Sequence, residues 1–344
     1  MMSSKVLYKE LNELKEYLKF YKNDNLLFII DENVANLYRE FINDIRHLPG
    51  KKNSLWIAPS GENLKSFIHL EKALEFFLEN GVQRDSHLFV IGGGATSDFS
   101  GLVASLLLRG ISWSVVPTTL LSMIDAAIGG KTAINSIFGK NLIGTFHLPE
   151  EILIDIDFLK TLPQEHRESG LGEILKYGFL SAEISRNLLS KDFRFQNLVT
   201  SSAKYKENLV ERDFKEQGER KLLNFGHTFG HAIEKHYSLS HGISVFWGMV
   251  ILFIIFDEKE NLKLLKEYAE KIDYKNLTTP WSNKPIEANS FFEYVKKDKK
   301  VKGSGKIDLI RTKKPGVPFI ETMDLNELEN IFVAKLTEIN SFEF

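Results

Sequence analysis

Short continuous apolar runs alternate with helix-period segments through the first half of the chain. Leu26–Ile30 (LLFII), Leu55–Ala58, His87–Ile91 (HLFVI) and Ser112–Val116 are such runs. Turn residues close three of them: Pro59-Ser60-Gly61, the triplet Gly92-Gly93-Gly94, and Pro117. Between them, Leu70–Leu78 repeats its apolar positions with helical period. Short apolar strands separated by helices predict a parallel sheet covered on both faces. After about residue 157 the pattern changes, and helical periods dominate through Asn276 while Gly and Pro thin out. The expected architecture is an α/β N-terminal domain with a parallel sheet, residues 1–157, and a mainly α-helical C-terminal domain, residues 158–344.

Composition narrows the choice of partner. The 344 residues, 43% of them hydrophobic, suffice for two cores. A net charge of −2 gives no reason to expect nucleic acid or an anionic membrane. With no cysteine, any metal must be held by His, Asp or Glu. The first twenty residues are charged throughout and lack the apolar core of a signal peptide. The longest apolar runs, such as Val245–Phe256, are too short to span a bilayer. A cytoplasmic protein is the expectation.

Two stretches carry candidate chemistry. His87–Gly101 reads HLFVIGGGATSDFSG, a buried strand ending in three glycines before a helix. Glycines let backbone N–H groups approach a phosphate, and a helix N-terminus favours negative charge. An isolated GGG is as often a plain tight turn, and Asp98 just beyond it serves equally as a helix-end charge or as a ribose contact. His227 and His231, four apart, share one helix face, and spacing alone nominates them as a metal pair. Glu173 and His241 supply a further carboxylate and imidazole; two His and one carboxylate are a common catalytic zinc set.

Four more segments accompany the glycine loop: PTTLL at 117–121, Asp125 followed by Gly129-Gly130-Lys131-Thr132, GKNLIG at 139–144, and LNFGHTFGHA at 223–232. In order and approximate spacing the series resembles the signature of the 3-dehydroquinate synthase family, from Asp31 to Asp308. The ordered set is specific to sugar-phosphate cyclases, although PTTLL or GGKT alone is weak.

The resemblance implies a dehydroquinate synthase-like fold and an enzyme that closes a phosphorylated sugar acid, 3-deoxy-D-arabino-heptulosonate 7-phosphate, into the carbocycle 3-dehydroquinate. It implies an NAD-binding first domain and a metal- and substrate-binding second domain, with zinc the expected metal and cobalt an alternative. It assigns the metal to Glu173, His227 and His241, and makes His231 a nearby proton-relay group. Lys131, Lys176, Arg220 and Asn224 join His231 as catalytic positions. Arg109, Asp125, Lys140, Asn141, Lys206 and Lys299 (or Lys300) match substrate positions. Arg109 resembles an arginine that serves the neighbouring subunit's site, so a homodimer is expected. Cofactor positions carried over are Asp31, Asn33, Glu62, Lys65, Gly94, Ala95, Thr96, Ser97, Asp98, Thr118, Thr119, Phe158 and Thr161, with Lys131 and Lys140 shared. Glu62 and Lys65 read equally well as a surface i,i+3 ion pair. His147 and His236 match no functional position.

The chain departs from the family pattern at Ala95-Thr96, at Ala126-Ala127 where a serine pair is usual, at Gln164-Glu165-His166 and at Phe214, which replaces an acidic residue. None of these replaces an expected metal ligand. Three rival readings remain: another cyclase acting on a sugar phosphate without a carboxylate, a metal-dependent polyol dehydrogenase that releases NADH, and a non-catalytic nucleotide-binding protein.

Overall fold

The computed structural model describes residues 4–297 and 305–344. The chain divides into two compact units: Met1–Pro163 with Lys206–Lys215, and Gln164–Tyr205 with Glu216–Phe344. The first unit runs on beyond residue 157 for a physical reason. The 3₁₀ turn Ile156–Lys160 buries Phe158 edge-on against Tyr38, ring centroids 4.9 Å apart, and the Tyr38 hydroxyl meets Thr161 Oγ1 at 2.9 Å.

Ten strands occur among the described residues: β1 (Lys5–Tyr8), β2 (Asn25–Asp31), β3 (Lys52–Ala58), β4 (His87–Gly92), β5 (Ser112–Pro117), β6 (Lys131–Ser136), β7 (Gly139–Phe146), β8 (Glu151–Ile154), β9 (Lys306–Thr312) and β10 (Pro318–Asp324). Six form a parallel sheet in the order β1-β8-β5-β4-β2-β3. Because β2 and β4 are buried from end to end, LLFII and HLFVI show no alternation; a parallel strand covered on both faces does not need it. Helix α1 (Phe67–Glu79) starts at Ser66, whose hydroxyl accepts the His69 N–H, and α2 (Gly94–Leu106) follows β4 directly. From β2 the chain moves outward to β3, then returns to the other side of β2 as β4. Strand order therefore reverses between the C-terminal ends of β2 and β4, where open α/β sheets bind their ligands. Asp31 and the glycine triplet occupy those two ends.

At the opposite end of β4, His87 is fully buried. Its Nδ1 lies 2.8 Å from Ser112 Oγ and its Nε2 2.9 Å from Ser114 Oγ, with the Tyr21 ring alongside. Hydroxyls donate or accept, so either neutral tautomer is satisfied. Burial, and then the nearby Lys22 charge, push the imidazole down to about 3. The unfolded chain protonates this histidine near 6.5 while the folded chain does not. Its contribution to stability is therefore complete above about 6.5 and is lost as pH falls below that value. Between pH 7.5 and 5, urea unfolding of the native chain should lose about 2 kcal/mol more than that of His87→Gln. Parallel losses in the two chains would contradict this assignment.

The second unit is mainly helical, with β9 and β10 as an antiparallel hairpin. Its centre is built by α3 (Gln164–Leu180), α4 (His227–Tyr237) and α5 (His241–Ile255). Helix α5 is buried from Gly242 to Ile255, as expected of a helix apolar on all sides. No helix among the described residues is long and apolar enough to cross a membrane. Glycines let these helices touch backbone to backbone: a Cβ on Gly172 would lie 2.0 Å from the Gly242 carbonyl oxygen, and one on Gly248 2.1 Å from that of Gly226.

Candidate active site

Glu173, on α3, is wholly buried and lies one residue beyond the Gly172 contact; His241 precedes Gly242 on the other side of the same crossing. His227 opens α4 directly after the left-handed Gly226. These placements bring ligand atoms of Glu173, His227 and His241 to within 4.8 Å of one another, the only such group of three or more among the described residues. Glu173 Oε1 is 3.6 Å from His227 Nε2 and 3.3 Å from His241 Nε2. Two ligand atoms about 2.1 Å from a tetrahedral ion sit about 3.4 Å apart, so the spacing fits a shared cation. His231, which the i,i+4 spacing paired with His227, is not in this set; its ring centroid lies 5.4 Å from that of His227 and 5.9 Å from that of His241.

The rings are aimed by their far nitrogens. His227 Nδ1 is 3.0 Å from the Phe225 carbonyl oxygen, an acceptor, so Nδ1 carries the proton and Nε2 the lone pair. His241 Nδ1 is 3.1 Å from Glu234 Oε2, which fixes that ring in the same sense. Burial pushes the His241 imidazole down, but the hydrogen bonds and charges of Glu173 and Glu234 outweigh it and carry it up to about 9. Lys176, one helical turn after Glu173 and equally buried, is ion-paired with Glu173 Oε2. Sequence reading missed Glu234, although it stands seven residues after His227 on the same helical face. Histidine ligands depend on such partners. Glu234→Ala should lower metal affinity about 10- to 100-fold, measured against a chromophoric chelator; unchanged affinity would show that the ring needs no orienting group.

Two further expected residues lie on the 3₁₀ segment Glu219–Asn224 of this unit. Arg220 is 2% exposed, a position where a cation demands an anion. Asn224 Nδ2 donates to Glu216 Oε1 at 2.8 Å, which leaves Oδ1 as its accepting end. Glu216 is a second residue that sequence reading missed. Lys299 lies outside the described residues.

In the first unit the glycine loop opens α2 at the strand-order reversal. A Cβ on Gly93 would meet Thr119 Cγ2 at 2.9 Å, so the Thr119 side chain would have to give way to it. The first N–H groups of α2, from Gly94, Ala95 and Thr96, point out of the helix end as in any helix. The Thr118 N–H donates to the Gly92 carbonyl, and the Ser97 hydroxyl donates to that of Gly93. Asp31 accepts from the Asn33 N–H at 2.9 Å, the Ser60 hydroxyl at 2.6 Å and the Thr96 hydroxyl at 3.3 Å. A side-chain-free cradle at a helix N-terminus, beside a carboxylate on the adjacent strand end, fits a dinucleotide.

Glu62 and Lys65 do not form the surface ion pair that their spacing allowed. Glu62 accepts from Asn135 Nδ2 at 2.8 Å, while the buried Lys65 pairs with Asp98 Oδ2 at 2.6 Å. Burial pushes the Asp98 carboxyl up, and Lys65 works against that shift. Lys206 Nζ is held by Asp125, 2.8 Å from Oδ1 and also bonded to its carbonyl oxygen. Lys131, Lys140 and Asn141 are exposed on the hairpin of β6 and β7. Arg109 is exposed too, in a tight turn where Leu108 and Arg109 both have positive φ, 51° and 70°. Phe214, in the acidic residue's place, stacks edge-on with Phe146 at 5.3 Å. His147 is spent on the Ile111 carbonyl, 2.9 Å from Nε2.

Known proteins share both sequence and fold with this chain. A family model described as 3-dehydroquinate synthase N-terminal matches residues 55–169, and one described as 3-dehydroquinate synthase C-terminal matches residues 170–301. A 3-dehydroquinate synthase of Staphylococcus epidermidis is 36% identical over 343 residues, covering 95% of this chain and 94% of its own. Two solved structures share the fold. One is 2-epi-5-epi-valiolone synthase of Streptomyces hygroscopicus with NAD⁺ and Zn²⁺ bound, at TM-score 0.79 and 23% identity over 98% of both chains. The other is 2-deoxy-scyllo-inosose synthase with carbaglucose-6-phosphate, NAD⁺ and Co²⁺, at TM-score 0.78 and 20% identity over 96% of both. Matched by both family models and by a relative of this identity along nearly its whole length, the chain belongs to the 3-dehydroquinate synthase family.

Proposed function

We infer that the chain converts 3-deoxy-D-arabino-heptulosonate 7-phosphate into 3-dehydroquinate and phosphate, the ring-forming step of the shikimate pathway. The observation that carries this reading is the convergence of Glu173, His227 and His241, oriented from behind, on a chain that follows 3-dehydroquinate synthases throughout. The dinucleotide, NAD, takes its place on the glycine loop, with Asp31 and Asn33 toward the adenosine and Thr118, Thr119, Phe158 and Thr161 along the pocket. Glu173, His227 and His241 hold a divalent ion, zinc or alternatively cobalt. When bound, the dinucleotide would supply reversible hydride transfer, and the ion would supply Lewis-acid polarisation of the oxygen at the reacting carbon.

The chain's own side chains do the rest. Arg220, Lys206 and Lys299 meet the anionic ends of the substrate, and Arg109 reaches the phosphate of a second copy in a homodimer. Asp125, Lys140, Asn141 and Asn224 hold its hydroxyls. His231, beside the ligand trio but not in it, moves protons together with Lys131, and Lys176 balances the Glu173 charge. The expected test result is continuous phosphate release from the heptulosonate phosphate and none from hexose or heptulose phosphates that lack the carboxylate. The reverse preference would move the chain to a neighbouring cyclase activity.

A further inference from the structure

Lys65 is the most enclosed cation of the first unit's site, with its side chain 1% exposed. Its ammonium contacts two groups from different elements: Asp98 Oδ2 at 2.6 Å on α2, and Asn141 Oδ1 on the hairpin. A lysine ammonium has donors and no acceptor, so the amide atom facing it must be the oxygen. That settles the orientation of the Asn141 side chain by chemistry: the oxygen is held inward and the NH₂ group is the end presented outward. The backbone beneath it is fixed as well. Asn141 has a left-handed φ of 58°, its N–H donates to Asn135 Oδ1 at 2.9 Å, and the Asn135 N–H donates to the Lys65 carbonyl at 2.9 Å. Asn135 Nδ2 closes the set on Glu62 at 2.8 Å. A buried charge thus holds an exposed hairpin residue in one rotamer and one amide sense.

We propose that Lys65 is a positioning residue that acts through Asn141, holding it as a one-way hydrogen-bond donor to a substrate hydroxyl or carboxylate oxygen. The inference rests on the reading of Asn141 as a substrate contact given above. A lysine whose bonds are spent on Asp98 and Asn141 does its work through them, rather than as a surface charge.

Four variants test it: Lys65→Met, Asn141→Ala, their double, and Asn141→Asp. Each is followed by steady-state kinetics on the heptulosonate phosphate, by NAD⁺ titration and by hydrogen exchange of residues 131–146. Lys65→Met and Asn141→Ala should each lower kcat/KM roughly 10- to 100-fold, the cost of one charge-assisted hydrogen bond, and the double should be no worse than the poorer single. Asn141→Asp keeps an oxygen for Lys65 but has no N–H to offer; it should lose as much as Asn141→Ala while exchange in the hairpin stays slow. Lys65→Met should speed that exchange. Multiplicative losses in the double, near-native activity of Asn141→Asp, or unchanged exchange in Lys65→Met would each overturn the proposal, as would a Lys65→Met defect confined to NAD⁺ affinity. A native chain inactive on this substrate would refute the functional reading instead, and hydrogen exchange would still decide whether Lys65 holds the hairpin.

Discussion

Gly242→Ala should cost the second unit roughly 3–5 kcal/mol and remove its metal site with it. The added Cβ would lie 1.7 Å from the Ser169 carbonyl oxygen and 2.6 Å from its carbon. Both are backbone atoms within or beside α3, so no side chain can swing away. The two helices must separate, and the Gly242 N–H loses its bond to Ser169 Oγ, now 3.1 Å. Separation acts on the site at once, because His241 and Glu173 are the immediate neighbours of the touching glycines. Thermal melting and metal content per chain check this together. A variant that melts as the native chain does and keeps one ion would show that the crossing tolerates a methyl group.

Glu173→Gln is the second large expected effect. The substitution hardly changes volume but removes the charge on which Lys176, His227 and His241 converge. Lys176, 1% exposed, is left as a buried cation without its carboxylate, and breaking such a pair from one side costs about 3–5 kcal/mol. The ion loses its only anionic ligand, so affinity should fall more than the 10- to 100-fold expected for Glu234→Ala. Chelator competition and denaturant unfolding of the metal-free chain read the two effects separately. Native metal affinity in the Gln variant would remove Glu173 from the ligand set.

How much of this was legible in the sequence depended on how local each signal was. The strands β2, β4 and β5 announced themselves because burial on both faces leaves short apolar runs, and β3, at the sheet edge, was marked by a brief apolar stretch before Pro59-Ser60-Gly61. The strands β1 and β8 are four residues each, and β1 sits inside a charged N-terminal stretch with no apolar run to mark it. The hairpin of β6 and β7 was read only as two motifs, since the exposed β7 mixes Lys, Asn, Gly and Thr instead of alternating, and β6 buries only Thr132, Ala133 and Ile134. The glycine triplet was legible because a strand-to-helix turn is a contiguous event. The metal set was not legible from spacing, which chose His227 with His231. The partner that converges on Glu173 is His241, from the next helix, brought in by glycine contacts between helices distant in sequence. Resemblance to the family supplied that assignment. Neither source anticipated Glu234 behind His241, or Lys65 behind Asn141, because both act through another side chain.

In the proposed reaction phosphate leaves for good, while the dinucleotide would end each turnover as it began it. The most direct test follows nicotinamide absorbance and phosphate together while the zinc-loaded protein acts on the heptulosonate phosphate with NAD⁺. One phosphate should appear per substrate consumed over many turnovers, with NADH never exceeding the enzyme concentration. NADH accumulating over many turnovers without phosphate would contradict it and identify a dehydrogenase.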